Sequence, residues 1–314
     1  MKAALFHKFG GTEVLQIEEI APPRPAADEV LVKVRAAAVN PKDTFIRKGR
    51  FAEWSGNRFP MQTGFDFAGE VAQVGAQVQG VEKGLAVFGM LDGWAGRTCA
   101  EWVAAKPHQM SAKPASLTYE EAAALPLVCL TALQALRGLG AIRAESRVCI
   151  NGASGGVGSM AVQIAKLLGA RVTAISSQVN HARLKRLGAD ICLDYHQVDI
   201  AAGGEIFDIF FDVFGNQPFA TIQPLLTETG TWISTVVKAE VLQAVAATEH
   251  SKGQKAKLVI VQANHKDLAQ ICQWAENGQL QPIIHAVFQL DQIAAAHRQQ
   301  ETKHTHGKLV ITIP

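Results

Sequence analysis

The stretch from Arg147 to Ser177, RVCINGASGGVGSMAVQIAKLLGARVTAISS, constrains the fold more than any other part of the chain. Val148-Cys149-Ile150 is short and apolar enough for a buried strand, and it breaks into a loop holding Gly152, Gly155, Gly156 and Gly158. Met160, Ile164, Leu167 and Leu168 then recur at helical steps, Gly169 supplies a stop, and Arg171 to Ile175 reads as the next strand. Strand, glycine loop, helix and strand in that order bring backbone close to a pyrophosphate and aim the free N–H groups of a helix start at its charge. The loop departs from G-x-G-x-x-G, because Ala153 stands in the second glycine's place. A glycine-rich turn that binds nothing is the bland rival; the flanking pattern makes dinucleotide binding the working expectation, on an α/β doubly wound parallel sheet.

The 314 residues are enough for two cores, and 48% hydrophobic with 18% charged residues is a globular composition. A net charge of +2 gives no reason to expect nucleic acid or an anionic membrane surface. Five scattered cysteines without a C-x-x-C pair read as free thiols of a reducing compartment. No leader-like or membrane-spanning apolar run is visible, so the expected residence is cytoplasmic, with no membrane association.

Up to about Pro114 the chain alternates short β runs with turns: Ala3 to Phe6, Leu15 to Ile17, Val30 to Val34, Thr63 to Val71 and Val81 to Phe88. That texture suits an irregular, mostly antiparallel β domain. Within it, Asn40-Pro41-Lys42-Asp43 is a helix start, with Asn40 as N-cap, Pro41 at the first helical position, Asp43 in the first turn and Gly49 near the end. Helical patterns run from Thr118 to Pro126 and from Val128 to Leu139. After the glycine loop, helices are expected at Ala182–Leu187 and Phe219–Leu226, and strands at Ile191–Leu193, Ile206–Val213, Thr231–Thr235 and Lys257–Val261. His265–Gly278, Ile283–Phe288, Asp291–Gln300 and Leu309–Ile313 then read as helix, strand, helix and strand.

These residues carry a resemblance across nearly the whole length: Val39 to Asp43, Gly64 to Gly69, Ala124 to Leu127, Thr131-Ala132, the glycine loop, Leu187 to Asp190, and Gly307-Lys308. The chain resembles the zinc-free quinone oxidoreductases and enone reductases of the medium-chain dehydrogenase/reductase superfamily. The resemblance implies a Rossmann domain inserted into a GroES-like, mostly β catalytic domain: residues 1–122 and 263–314 catalytic, residues 123–262 binding the cofactor. It also implies a homodimer paired through an edge strand such as Lys257–Val261, and a small-molecule carbonyl or quinone substrate held between the domains.

Cofactor choice turns on the end of the second strand, where an NAD site wants a carboxylate for the ribose hydroxyls. Here Ile175-Ser176-Ser177-Gln178 offers none, which favours NADP(H). Relatives often carry Lys where this chain has Asn180; Arg183 or His181 can replace that charge or stay solvated on a surface helix. The residues expected at the cofactor are Asn40, Val128, Thr131, Ser154, Gly155, Gly156, Val157, Ser176, Ser177, Asn180, Tyr195, Phe214, Ser234, Val261 and Lys308, most of them carried over through the resemblance. Tyr195 resembles a tyrosine lying against the adenosine phosphate, and a plain strand-boundary role also suits it.

Zinc-dependent relatives present a Cys and a Gly-His-Glu to catalytic zinc, whereas this chain has Gly64-Phe65-Asp66 and no cysteine cluster, so no metal is expected. Without one, hydride transfer to a conjugated carbonyl relies on positioning and on donors to the substrate oxygen. Relatives place tyrosines where Phe45 and Phe51 stand, so the expected catalytic residues are Asn40, Asp43 and Arg47, with water or the cofactor ribose. Asn40 is either a cap alone or a cap that also meets the nicotinamide; Asp43 can pair with Arg47 four residues on. On the cap reading Asn40→Asp costs little stability. Phe45, Phe51, Trp54 and Trp94 are the candidate substrate pocket, or packed core. The expected function is NADPH-dependent reduction of quinones or α,β-unsaturated carbonyls; the rivals are an alcohol dehydrogenase and a non-catalytic NADPH-binding sensor or structural protein.

Overall fold

A computed structural model describes residues 1–200 and 204–314. The first part of the chain forms β1 (Lys2–Phe6), β2 (Gln16–Glu19) and the long β3 (Val30–Val39), which runs into α1 (Pro41–Arg47). Asn40 is extended (φ −123°, ψ 157°), Pro41 opens the helix with its φ already suited to it, and Asp43 accepts the Asn40 N–H at 2.9 Å. Next come α2 (Ala52–Ser55), β4 (Met61–Gln62), β5 (Asp66–Val74), β6 (Ala86–Met90), β7 (Trp102–Ala105) and β8 (Met110–Ala112). Thr118 and Glu121 cap each other's backbone at the start of α3 (Tyr119–Ala123), and α4 (Pro126–Leu133) continues as a π-turn through Leu139.

The parallel part contains β9 (Arg147–Asn151), α5 (Gly156–Leu167), β10 (Arg171–Ser176), α6 (His181–Arg186), β11 (Ile191–Asp194), β12 (Phe207–Asp212), α7 (Phe219–Ile222), β13 (Leu226–Ser234), α8 (Ala239–Thr248) and β14 (Lys255–Leu258). The chain closes with α9 (His265–Glu276), β15 (Ile284–Gln289), α10 (Ile293–Glu301) and β16 (Lys308–Thr312).

Two compact units result: Met1–Leu130 with Gln262–Pro314, and Thr131–Val261, the division falling within α4. In the second unit six strands pair in parallel in the order β11-β10-β9-β12-β13-β14. Strand order reverses between β9 and β12, and the carboxyl ends of these two strands flank the switch point where such sheets take ligands. Trp232, Phe210, Phe207 and Ile222 anchor one side of its core. The first unit has a three-stranded antiparallel sheet, β2-β1-β4, and a larger sheet in the order β15-β16-β3-β5-β6-β8, with β7 also on β3. Every pairing in the larger sheet is antiparallel except β15 with β16. Because β16 pairs with β3, Lys308 arrives beside Asn40, which lies far away in sequence.

Some elements depart from the sequence expectation. The helix expected at Phe219–Leu226 is one α turn and a 3-10 turn, because Pro224 supplies no N–H and Leu226 already opens β13. The last strand of the parallel sheet lies at Lys255–Leu258, starting two residues and ending three residues earlier than expected. Helix α8 was not foreseen: it buries only Val241, too weak a stripe to stand out by periodicity.

Candidate active site

In the second unit the glycine loop turns from β9 into α5. Gly152 takes φ +80°, and a Cβ there would meet Phe214 at 3.1 Å, on the loop after β12. A Cβ at Gly158 would lie 2.2 Å from the Gly152 carbonyl, so helix and loop pack at a distance only glycine permits. Helix α5 begins at Gly156 with no side chain capping its first turn. Ser154, Gly155, Gly156 and Val157 thus lie where uncapped N–H groups and the positive end of a 12-residue helix converge, which fits a diphosphate.

Beyond β10, Ser177 Oγ accepts from Asn180 Nδ2 (2.9 Å), and Arg183 Nη2 donates to Asn180 Oδ1 (3.0 Å) and to the Ser154 carbonyl (3.4 Å). Partial burial lowers the Arg183 pKa, with Arg186 adding to the effect, and its Nε is buried without a partner. Arg183 is therefore folded back over the glycine loop rather than solvated on the helix surface. Ser176 is buried beneath this cluster and His181 reaches only its carbonyl (3.4 Å). Asn151 bridges Asp212 and Asn216 (both 2.7 Å), and Asp212 accepts from Gly215 N–H and Gln217 N–H, holding the loop that carries Phe214. Tyr195 and Phe214 are exposed. Ser234 is buried, its Oγ accepting from Val236 N–H. Val128 and Thr131 lie on α4, and Val261 is the last residue of the unit.

In the first unit a polar cluster is built under the start of α1. Asn40 Nδ2 donates to Asp66 Oδ2 (2.9 Å), Lys308 Nζ donates to the same oxygen (3.1 Å) and to Asn40 Oδ1, and Leu127 N–H donates to Asp66 Oδ1 (2.7 Å). All three side chains are buried. Asn40 stands at the N-cap as expected, but its amide is committed to Asp66 and Lys308 and makes no side-chain cap bond, so the carboxylate of Asp43 ties the helix start. Asp43 Oδ1 accepts from Thr63 Oγ1 (3.0 Å) and Gly64 N–H (2.7 Å). Burial raises the Asp43 pKa despite these bonds and the positive charge of Lys308.

The expected Asp43–Arg47 pair is corrected. Arg47 is fully buried and donates to Glu301 on α10 and to the Gly10 carbonyl (2.9 Å), so its guanidinium is spent tying α1 to α10 and is not a donor beside Asn40. Next to it, His297 is buried with Thr63 Oγ1 at 3.4 Å; burial first, then the Arg47 charge, pushes its pKa down to about 3.

The four candidate pocket aromatics do come together. Phe51 lies 4.8 Å from Trp94 and 5.6 Å from Trp54, the two indoles stack at 5.4 Å and 23°, and Phe45 meets Phe51 edge-on at 6.0 Å. Trp54 is 53% exposed, so this is an open aromatic face rather than sealed core. Sequence reasoning passed over Lys42, whose Nζ lies 4.0 Å from the Phe65 ring centre and 4.7 Å from that of Trp94. The signal for it was there: a cation in the first turn of a helix, where the dipole disfavours it, inside the N-P-K-D motif. Among the described residues no three His, Cys, Asp or Glu side chains converge as a metal site.

Comparison with known proteins agrees with this architecture. Residues 26–134 match the alcohol dehydrogenase GroES-like domain family, and residues 187–311 match the family described as zinc-binding dehydrogenase. The chain is 33% identical to 2-methylene-furan-3-one reductase of Solanum lycopersicum (99% of this chain, 79% of that protein) and 30% identical to the chloroplast envelope quinone oxidoreductase homolog of Arabidopsis thaliana (99% and 98%). The solved quinone oxidoreductase of Coxiella burnetii superposes with a TM-score of 0.92 at 34% identity, covering 100% of this chain and 99% of that one. The fold and site define a nicotinamide-dependent oxidoreductase. The chain belongs to the medium-chain dehydrogenase/reductase superfamily, in the branch that holds quinone oxidoreductases and enone reductases.

Proposed function

We propose that this protein reduces quinones or α,β-unsaturated carbonyls with NADPH and without zinc. The observation that carries the reading is the state of Asp66. Its neighbour Phe65 offers no ligand, and its carboxylate is taken up by Lys308, Asn40 and the Leu127 N–H, a donor set that leaves no lone-pair cage for a metal. Chemistry that needs no metal electrophile, hydride addition to an already conjugated system, suits such a site. Bound NADPH supplies the hydride. The chain's own residues bind the diphosphate at the start of α5, present Ser177, Asn180 and Arg183 without a carboxylate to the adenosine ribose, and offer Phe51, Trp54 and Trp94 as a flat apolar face.

Steady-state rates with a simple enone and a simple quinone, each with NADPH and NADH, test the reading. The expected result is turnover by the metal-free protein, with kcat/KM favouring NADPH by tens-fold; activity restored only by zinc, or preference for NADH, overturns it. Arg183→Ala is expected to weaken NADPH about 10-fold, one charge-assisted contact, and NADH by less, through the shared glycine loop that Arg183 covers. The same reading includes a homodimer through the edge strand β14, supported by Ile260, 63% exposed just beyond it. Sedimentation at micromolar concentration is expected to return twice the chain mass.

A further inference from the structure

The Asn40 amide is committed to Asp66 and Lys308, and Arg47, its two terminal nitrogens on Gly10 and Glu301 and its Nε buried without a partner, is fully buried and tied to α10. Lys42, on the same helix, is not so committed. Its Nζ donates one hydrogen bond, to the Gly93 carbonyl, and lies 4.0 Å from the Phe65 ring centre and 4.7 Å from that of Trp94, with no second hydrogen-bond acceptor among the described residues. The charged groups that act on it are Asp43 on its own helix, Asp66 on β5 and Asp92 after β6. Each is bonded elsewhere: Asp43 to Thr63, Gly64 and Asn40, Asp66 as above, and Asp92 to His108, Gln109 and Ala263. Among the described residues none forms a salt bridge with Lys42. Desolvation outweighs all three carboxylates and lowers the Lys42 pKa, which makes the ammonium a stronger acid than an ordinary lysine. An ammonium with donors to spare, held over the Trp94 ring that stacks with the exposed Trp54, is poorly explained as a stabilising device.

We propose that Lys42 is the acid that meets the substrate's carbonyl oxygen, with the substrate bound beside the Phe51–Trp54–Trp94 cluster that Lys42 adjoins. The inference rests on the reductase reading. Hydride from the reduced nicotinamide adds to the β-carbon with its electron pair, the C=C pair shifts to form the α-carbon–carbonyl double bond, and the C=O pair moves onto oxygen. Lys42 gives its proton to that oxygen. The resulting enol takes a proton at the α-carbon from water as its hydroxyl loses one, and the Lys42 amine regains a proton from water. One reduced nicotinamide and one proton are consumed per carbonyl.

The test compares wild type with Lys42→Met and Lys42→Gln. A general acid contributes about 10²–10⁴-fold, so kcat with an enone is expected to fall by about 10²-fold or more, with the Kd for NADPH unchanged. The wild-type kcat is expected to fall as pH rises through a pKa below the ordinary lysine range, a limb missing from both variants. The second readout needs no turnover: 4-nitrophenol, a planar acid whose anion absorbs in the visible, is titrated with each protein. A neighbouring ammonium is expected to lower its pKa by about 1–3 pH units in wild type and not in the variants. If wild type reduces enones and the variants match it in rate, or if 4-nitrophenol titrates identically on all three proteins, Lys42 is a cation–π post and the proposal falls. If wild type reduces neither enone nor quinone yet shifts 4-nitrophenol through Lys42, the reductase reading fails while the anion site stands.

Discussion

The two units build their sites from different materials. In the second, the core of the candidate site is backbone, a loop that only glycine can make and a helix start left uncapped within residues 152–158, with Ser177, Asn180 and Arg183 beside it. In the first, the candidate site is side chains from distant strands and helices, Asn40, Asp66 and Lys308 in one cluster and Lys42, Phe65 and Trp94 in another. A backbone site is written in consecutive residues, whereas a side-chain site exists only once β16 has paired with β3 and β3 with β5. Substitutions in the first unit should therefore register as stability as much as function, and substitutions in the glycine loop mainly as binding.

The largest effect is expected from Lys308→Met. It leaves the Asp66 carboxylate buried with only two neutral donors, and breaking a buried pair from one side costs about 3–5 kcal/mol. Urea unfolding measures the loss, and Asp66→Leu added to Lys308→Met should recover much of it. If Lys308→Met costs under about 1 kcal/mol, the cluster is solvated and the contrast between the units weakens. In the glycine loop, Gly158→Ala forces the Gly152 carbonyl away and is expected to weaken NADP(H) by about 100-fold, or about 2.7 kcal/mol. Calorimetric titration returning affinity within threefold of wild type would break the backbone half of the comparison.

This contrast also explains what could be read in advance. The parallel sheet, the glycine loop, the missing acid after β10, the helix start at Asn40 and the aromatic quartet all rest on local spacing or residue type. What the side chains of α1 do does not. Asn40, Pro41 and Asp43 look like a self-contained cap, and locally Asp43 does tie the helix start, but the Asn40 amide is drawn away by a carboxylate 26 residues on and an ammonium 268 residues on. Arg47 likewise lies one helical turn from Asp43 and is taken by Glu301, across 254 residues. Local geometry offered both pairs, and charged tertiary partners displaced them.

Asn40→Asp separates the two descriptions directly. As a cap it would be nearly neutral; in this cluster it removes the donor to Asp66 and sets two carboxylates against each other. Loss of a buried hydrogen bond to a charged group is expected to cost about 1–3 kcal/mol. A thermal unfolding midpoint unchanged from wild type would return Asn40 to the role of a cap.

The smallest effect at neutral pH, and the sharpest in its sign, is expected from His297→Leu. Burial pushes the native imidazole down to about 3 from the ordinary 6.5 of an exposed histidine, so the unfolded chain binds the extra proton between these values. Its contribution is fully present above pH 6.5 and is lost as pH falls, by about 1.4 kcal/mol per pH unit. Asp43, with its pKa raised, works in the opposite direction, since the native state then holds its proton more firmly as pH falls. Because both proteins keep Asp43, the difference between their stability curves isolates His297. At pH 7 the variant gives up only the 3.4 Å contact with Thr63 and should lie within about 1 kcal/mol of wild type. Between pH 6.5 and 5 its stability should stay flatter than that of wild type, and parallel curves over that range would mean that the His297 ring reaches water and belongs to a looser first unit.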